Sequence, residues 1–235
     1  MLSCIKKAMR TNAVTRPLYR KMAQRYAAIK LKKRKKAFRT YGEDSFRLAV
    51  NTLHAAGIDC FPAFGTLLGL IRDGRLIPHD LDLDFGVIAD GSEYDWDRLK
   101  NALIDAGFHI LRWYEYENGI GEIAFASPMS RRLNIDFFLF KRTDGGMVTH
   151  TCYRLKDRKY NNNAECTLFE EKFPPINQFA EETHLGVTVS IPRNAKELLE
   201  CSYTSAWQIP DASWNENNKP NRKEKEGVLA IKHEQ

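Results

Sequence analysis

From Asp80 to Val87 the chain alternates without a break, with Leu81, Leu83, Phe85 and Val87 on one parity and Asp80, Asp82, Asp84 and Gly86 on the other. A period of two belongs to an extended strand, so one face is apolar and the other is a row of carboxylates. Such a strand has to bury its greasy face. It then holds acids two residues apart at about 6.5–7 Å, unable to swing away from one another. Like charges at that spacing call for a cation between them, and hard carboxylate oxygens suit Mg²⁺ or Mn²⁺ rather than zinc.

Upstream, Gly65-Thr66 and Gly69 are placed to let backbone N–H groups approach a phosphate where a Cβ would block them. Thr66 adds a hydroxyl, Arg72 adds a fixed positive charge, and Pro78 stiffens the entry to the strand. Taken singly these are ordinary features, since D-x-D is often a solvated face and Gly-Thr-x-x-Gly a turn or a tight helix contact. In this order they predict a phosphate cradle beside a metal seat. A further acid, Asp136, lies in the apolar run LNIDFFLF between Ile135 and Phe137. Unpaired there it would cost several kcal/mol, so it needs a partner, either a backbone group or Arg131, or else a shared cation.

The block GTLLGLIRDGRLIPHDLDLDFGV resembles the signature of the LicD/fukutin-related family, G-T-L-L-G, an Arg, then I-P-W-D-x-D-x-D, with His79 standing where that family has Trp. The resemblance implies an α/β (α+β) chain with a nucleotidyltransferase-like mixed β-sheet flanked by helices. It implies Asp82, Asp84 and Asp136 as catalytic and metal-binding residues and Gly65 and Thr66 as holding the donor phosphates; Arg72, a candidate for phosphate charge or for loop structure, and Asp80 complete the expected substrate-binding set. It also implies Mg²⁺ or Mn²⁺ as cofactor, a CDP-alcohol such as CDP-choline or CDP-ribitol as donor, and a sugar hydroxyl of a glycan as acceptor. A nucleotidyltransferase that leaves an NMP on a small molecule and a non-catalytic docking protein are the competing readings.

Charge divides the chain. Residues 1–40 hold fourteen Lys or Arg and no acid, leaving 22 basic against 30 acidic residues in the remainder. The expected organisation is a basic helical N-terminal arm (1–40), a LicD-like domain (41–214) and a loose polar tail (215–235). In the arm, Ile5, Met9, Val14, Leu18, Met22, Tyr26 and Ile29 recur at spacings of three to five, with Pro17 as a break or restart. Three readings stay open for it: a helix on an anionic membrane surface, a dock for an anionic polymer, or a solvated lead-in. Nucleic acid is not an expected partner, because no recognisable binding module accompanies the basic run.

Neither a signal peptide nor an apolar span is expected, which predicts a cytoplasmic protein, with the arm at the inner membrane face in the first reading. The five cysteines form no C-x-x-C pair, which predicts a reducing compartment and no structural zinc. Periodicity predicts helices over 43–56, from Leu67, over 94–106 and over 195–202, and strands over 58–63, 109–116, 120–126, 133–140 and 147–155. Loops are expected at Ala89-Asp90-Gly91-Ser92, Glu117-Asn118-Gly119, 127–132 and 156–165, and a hairpin ends near 183–189. The closing pattern of Pro192, Leu198, Leu199, Tyr203, Trp207 and Pro210 is similar to that of LicD-like proteins, with Thr204 where they carry Gly, and is expected to pack rather than react.

Overall fold

A computed structural model describes residues 12, 15–89, 91, 93–117, 119–211 and 213–235. Ile5, Met9 and Val14 of the arm, Asp90 and Ser92 of one expected loop and Asn118 of another lie outside these. The first helix among the described residues, α1, spans Arg16–Ala55. Pro17 falls in its first turn, where a missing N–H leaves no hydrogen bond unmade, so the proline starts the helix rather than breaking it. The helix expected to begin at Glu43 is instead the last part of α1, since between Pro17 and Gly42 the sequence contains no helix breaker.

The two ends of α1 have different surroundings. Leu18, Met22, Tyr26 and Ile29 are exposed, whereas Phe38, Phe46, Ala49, Val50 and Leu53 are buried. Gly57, at φ +62°, turns the chain out of the helix. The chain continues through β1 (Phe61–Pro62), α2 (Phe64–Asp73), β2 (Asp82–Ala89) and α3 (Trp96–Asp105). Then come β3 (His109–Tyr116), β4 (Gly119–Ser127), β5 (Ser130–Thr143), β6 (Gly146–Tyr153) and β7 (Glu165–Phe173). The hairpin β8 (Phe179–His184) and β9 (Val187–Pro192), helix α4 (Ala195–Tyr203) and β10 (Arg222–Glu234) complete it.

Eight strands form one sheet in the order β1-β2-β5-β4-β3-β10-β7-β6, and the end of β5 also pairs with β6. That last pairing curls β5, β4, β3, β10, β7 and β6 into a closed ring. β2 and β5 run parallel, while the ring's neighbours are antiparallel. Alternation sorts the side chains. Leu83, Phe85, Val87, Ile135 and Phe137 face the main core, where Phe46 of α1 stacks on Phe85 and Phe85 on Phe137. The other parity of β2 and β5 carries Asp82, Asp84 and Asp136.

Two expectations change here. The tail from 215 is a 3₁₀ turn followed by β10, which fills the slot between β3 and β7 and buries Ala230 completely. Its apolar run, Val228 to Ile231, is short and lies among charged residues, so the strand owes its order to ladder bonds on both edges rather than to amphipathic pattern. The segment 127–132 is no extended loop, because β4 and β5 are separated only by Pro128 and Met129.

Candidate active site

The parallel register of β2 and β5 sets Asp82 beside Asn134 and Asp84 beside Asp136. Across the next two strands Ala124 and then Arg112 continue the row. Because Ala124 is small, the Arg112 guanidinium can lie over it and donate to both Asp136 oxygens at 3.2 Å, with Glu122 at 3.8 Å. Asp136 is therefore partnered by Arg112 rather than by Arg131. On the other flank Arg34 of α1 donates to the Leu81 carbonyl at 3.4 Å and to Asp82 at 3.5 Å.

Asp80 departs from the expected row, since β2 begins at Asp82 and Asp80 belongs to the preceding turn. Its carboxylate turns towards α2, so near that a Cβ on Gly65 would stand 2.9 Å from Asp80 Oδ2. Gly65 and Thr66, expected in a turn, lie in the first turn of α2. The Thr66 hydroxyl is buried and accepts the Asp84 N–H at 2.8 Å, tying α2 to the carboxylate strand instead of facing a ligand. Gly69 makes room for returning backbone: a Cβ there would meet the Arg75 carbonyl at 2.6 Å. Ala63 supplies no side-chain cap, so the first N–H groups of α2 remain available to an anion. Arg72 donates to Asp73 at 3.0 and 2.8 Å and also borders the cleft.

Burial pushes the Asp84 carboxyl well above the ordinary range, and the neighbouring charges of Asp82, Asp136 and Asp80 push it further. Burial likewise raises Asp82 against the pull of Arg34 and Arg112, and raises Asp136 against Arg112. Asp80 is pushed up to about 7 by burial and by Asp82. The set thus carries more negative charge than its two guanidinium groups offset, which is the chemistry of a cation site. Among the described residues, however, no three acidic, histidine or cysteine side chains are gathered as a ligand set. Asp82 and Asp84, two residues apart on β2 and both bordering the cleft, are the carboxylates that could hold a hard divalent ion.

These groups line a cleft of about 1060 Å³. Tyr203, Trp207 and Pro210, expected only to pack, form part of its wall. Lys219 enters from the C-terminal segment, bonded to buried Glu171 at 3.2 Å, paired with Glu216 at 3.0 Å and seated 4.3 Å from the centre of the Phe64 ring. Arg34, Arg112, Glu122 and Lys219 were not singled out from sequence. Glu122 and Arg112 carried a usable signal, being charged residues on the inward parity of apolar strands, like Asp136. Arg34 is hidden in a lysine-rich run, and Lys219 had no signal at all. His150, Cys152 and Cys166 lie buried in the strand ring.

Residues 57–194, more than half of the chain, match the family model described as LicD/FKTN/FKRP, nucleotidyltransferase domain. The chain belongs to the LicD/FKTN/FKRP family. The match to this family takes in Gly65, Asp82, Asp84, Arg112, Glu122 and Asp136, and bears out the resemblance read from the GTLLG and D-x-D-x-D block. Arg34, α4, Lys219 and β10 lie outside the LicD/FKTN/FKRP match. Among curated relatives, the chain is 26% identical over 199 residues to the ribitol-5-phosphate transferase FKTN of Macaca fascicularis, covering 83% of this chain and 39% of that one. It is 25% identical over 199 residues to the Homo sapiens protein of the same name, with the same coverage. The chain thus spans about two-fifths of the length of the curated relatives it matches.

Proposed function

We propose that the chain transfers a phospho-alcohol from a CDP-activated donor to a sugar hydroxyl of a glycan, releasing CMP. The observation that carries this reading is the pair Asp82 and Asp84 on one strand, facing the uncapped start of α2 across the same cleft. The N–H groups at Phe64 and Gly65 would bind donor phosphate oxygens, with Asp80 and Arg72 at the rim. Mg²⁺ or Mn²⁺ held by Asp82 and Asp84 would neutralise the diphosphate. Asp136, oriented by Arg112, would draw the proton from the acceptor hydroxyl as its oxygen bonds to the β-phosphorus and the bond from that phosphorus to CMP breaks. Thr66 holds the carboxylate strand in place rather than binding substrate.

The relatives' name puts ribitol 5-phosphate ahead of phosphocholine as the group moved. The test is CMP release from CDP-ribitol, CDP-glycerol and CDP-choline, with and without Mg²⁺ or Mn²⁺, supplied with glycan acceptors. The expected result is metal-dependent CMP release from one donor, lost in Asp82→Asn. Pyrophosphate release from CTP or ATP would move the site to nucleotidyl transfer, and silence with every donor would favour a docking protein. The exposed stripe Leu18, Met22, Tyr26 and Ile29, with only basic charges around it, supports contact with an anionic membrane as the route to a lipid-carried acceptor. Among the described residues no helix is long and apolar enough to cross a membrane. Co-sedimentation with anionic vesicles, reduced to background when residues 1–30 are removed, checks the contact.

A further inference from the structure

We infer that Lys219 is a positioning residue for donor phosphate: its ammonium clamps the Phe64 ring, and the clamped ring holds the start of α2, with its free N–H groups, in place at the cleft. The inference rests on the transferase reading above. Phe64 opens α2 at φ +45°, a backbone region that a Cβ disfavours, so it stays there only because its surroundings fix it. The backbone on either side is tied to the carboxylate strand. Ala63 donates its N–H to the Asp84 carbonyl at 2.9 Å, and the Thr66 hydroxyl accepts the Asp84 N–H at 2.8 Å. Phe64 is therefore the joint between two fixed points. Its backbone angles aim the Gly65 N–H, and both residues line the cleft.

The ring is held from two sides. It meets Phe138 edge-on at a centroid distance of 5.0 Å, with Phe140 and Phe173 beyond at 6.2 and 6.3 Å. Over it lies the Lys219 ammonium, 4.3 Å from the ring centre, in range of a cation–π attraction that strengthens where water is excluded. The Lys219 side chain is only 2% exposed. It donates to both Glu171 oxygens at 3.4 and 3.2 Å and stands 3.0 Å from Glu216. Glu171 is itself fully buried and accepts the Thr151 hydroxyl at 3.0 Å, so the ammonium cannot leave the ring. A buried ion pair contributes little net stability compared with apolar packing. A cation fixed this firmly against the side chain of a strained joint instead sets the geometry of that joint. Lys219 also lies beyond the family match, which ends at 194, so the phosphate end of the site depends on a segment outside the part that carries the carboxylates.

The experiment is calorimetric titration of the full chain with CDP in Mg²⁺. The first variant combines Lys219→Met with Glu171→Gln, which keeps the net charge, leaves no buried carboxylate unpaired and preserves an acceptor for Thr151. The second is Phe64→Leu, which removes the ring and leaves the Lys219–Glu171 pair, and the third carries all three changes. Thermal unfolding confirms that each variant is folded. We expect CDP affinity to fall about tenfold in each of the first two and no further in the third, because the cation acts through the ring. A lower melting temperature with CDP affinity unchanged would reduce Lys219 to a structural role and overturn the inference. So would losses that multiply in the third variant, which would make Lys219 and Phe64 independent. A wild-type chain that binds no CDP in Mg²⁺ defeats the transferase reading and the positioning role with it, whereas binding that the variants leave untouched defeats the positioning role alone.

Discussion

Gly65 and Gly69 share one helix, yet different atoms forbid a side chain at each. At Gly69 the obstacle is the Arg75 carbonyl, 2.6 Å from a built Cβ, and backbone cannot step aside cheaply. At Gly65 it is the far end of the Asp80 carboxylate, which can rotate away, although that displaces an acid from the cleft. Gly69→Ala is therefore expected to cost about 2–3 kcal/mol in a denaturant titration. Gly65→Ala should cost under about 1 kcal/mol and still lower donor turnover at least tenfold; equal stability losses would refute the distinction. Thr204 makes the converse case. It sits at φ +67° and ψ 176°, a region that a Cβ disfavours and glycine enters freely. Replacing Thr204 with Gly should raise stability by about 1 kcal/mol, read from the denaturation midpoint, because the relieved strain exceeds the added chain entropy.

At the scale of elements, α1 joins two environments in one continuous helix. Its first half is exposed and basic, while from Arg34 onward it supplies a guanidinium to Asp82 and packs Phe38 and Phe46 into the core. Removing residues 1–30 should change unfolding free energy by less than about 1 kcal/mol. Removing residues 1–40 takes Arg34 and the buried Phe38 as well and should cost about 3 kcal/mol or more. Parallel melts of the two truncations check this. β10 shows the opposite arrangement, a segment of unpromising sequence held between β3 and β7. An edge pattern can be read from periodicity, but an inserted strand of mixed charge is recognised only from its neighbours.

For the whole molecule, the strand ring encloses a titratable group whose protonation is linked to folding. His150 is buried, with Nδ1 3.1 Å from the Tyr116 hydroxyl, and burial together with the charge of Lys225 pushes it down to about 4. Its folded value lies below the unfolded value of about 6.5, so the unfolded chain binds more protons between those limits. The stabilisation linked to His150 is complete above about pH 6.5 and is lost as pH falls towards 4, by up to roughly 3 kcal/mol. Asp80, raised to about 7, acts in the opposite sense, so the measurement is the difference between wild type and His150→Gln. The variant's stability should fall less steeply with acid over that window, and parallel profiles would refute the linkage. Sequence alone determined the family, the carboxylate strand, the third acid Asp136 on a neighbouring strand and most element types, because each rests on local periodicity or on a motif of adjacent residues. Tertiary structure alone decided that Arg112 rather than Arg131 partners Asp136, that Thr66 bonds backbone and that Lys219 enters the cleft. It also decided that the polar tail completes the ring. Each of these depends on which strands lie side by side, and strand order is set by long-range pairing and burial that no window of neighbouring residues contains.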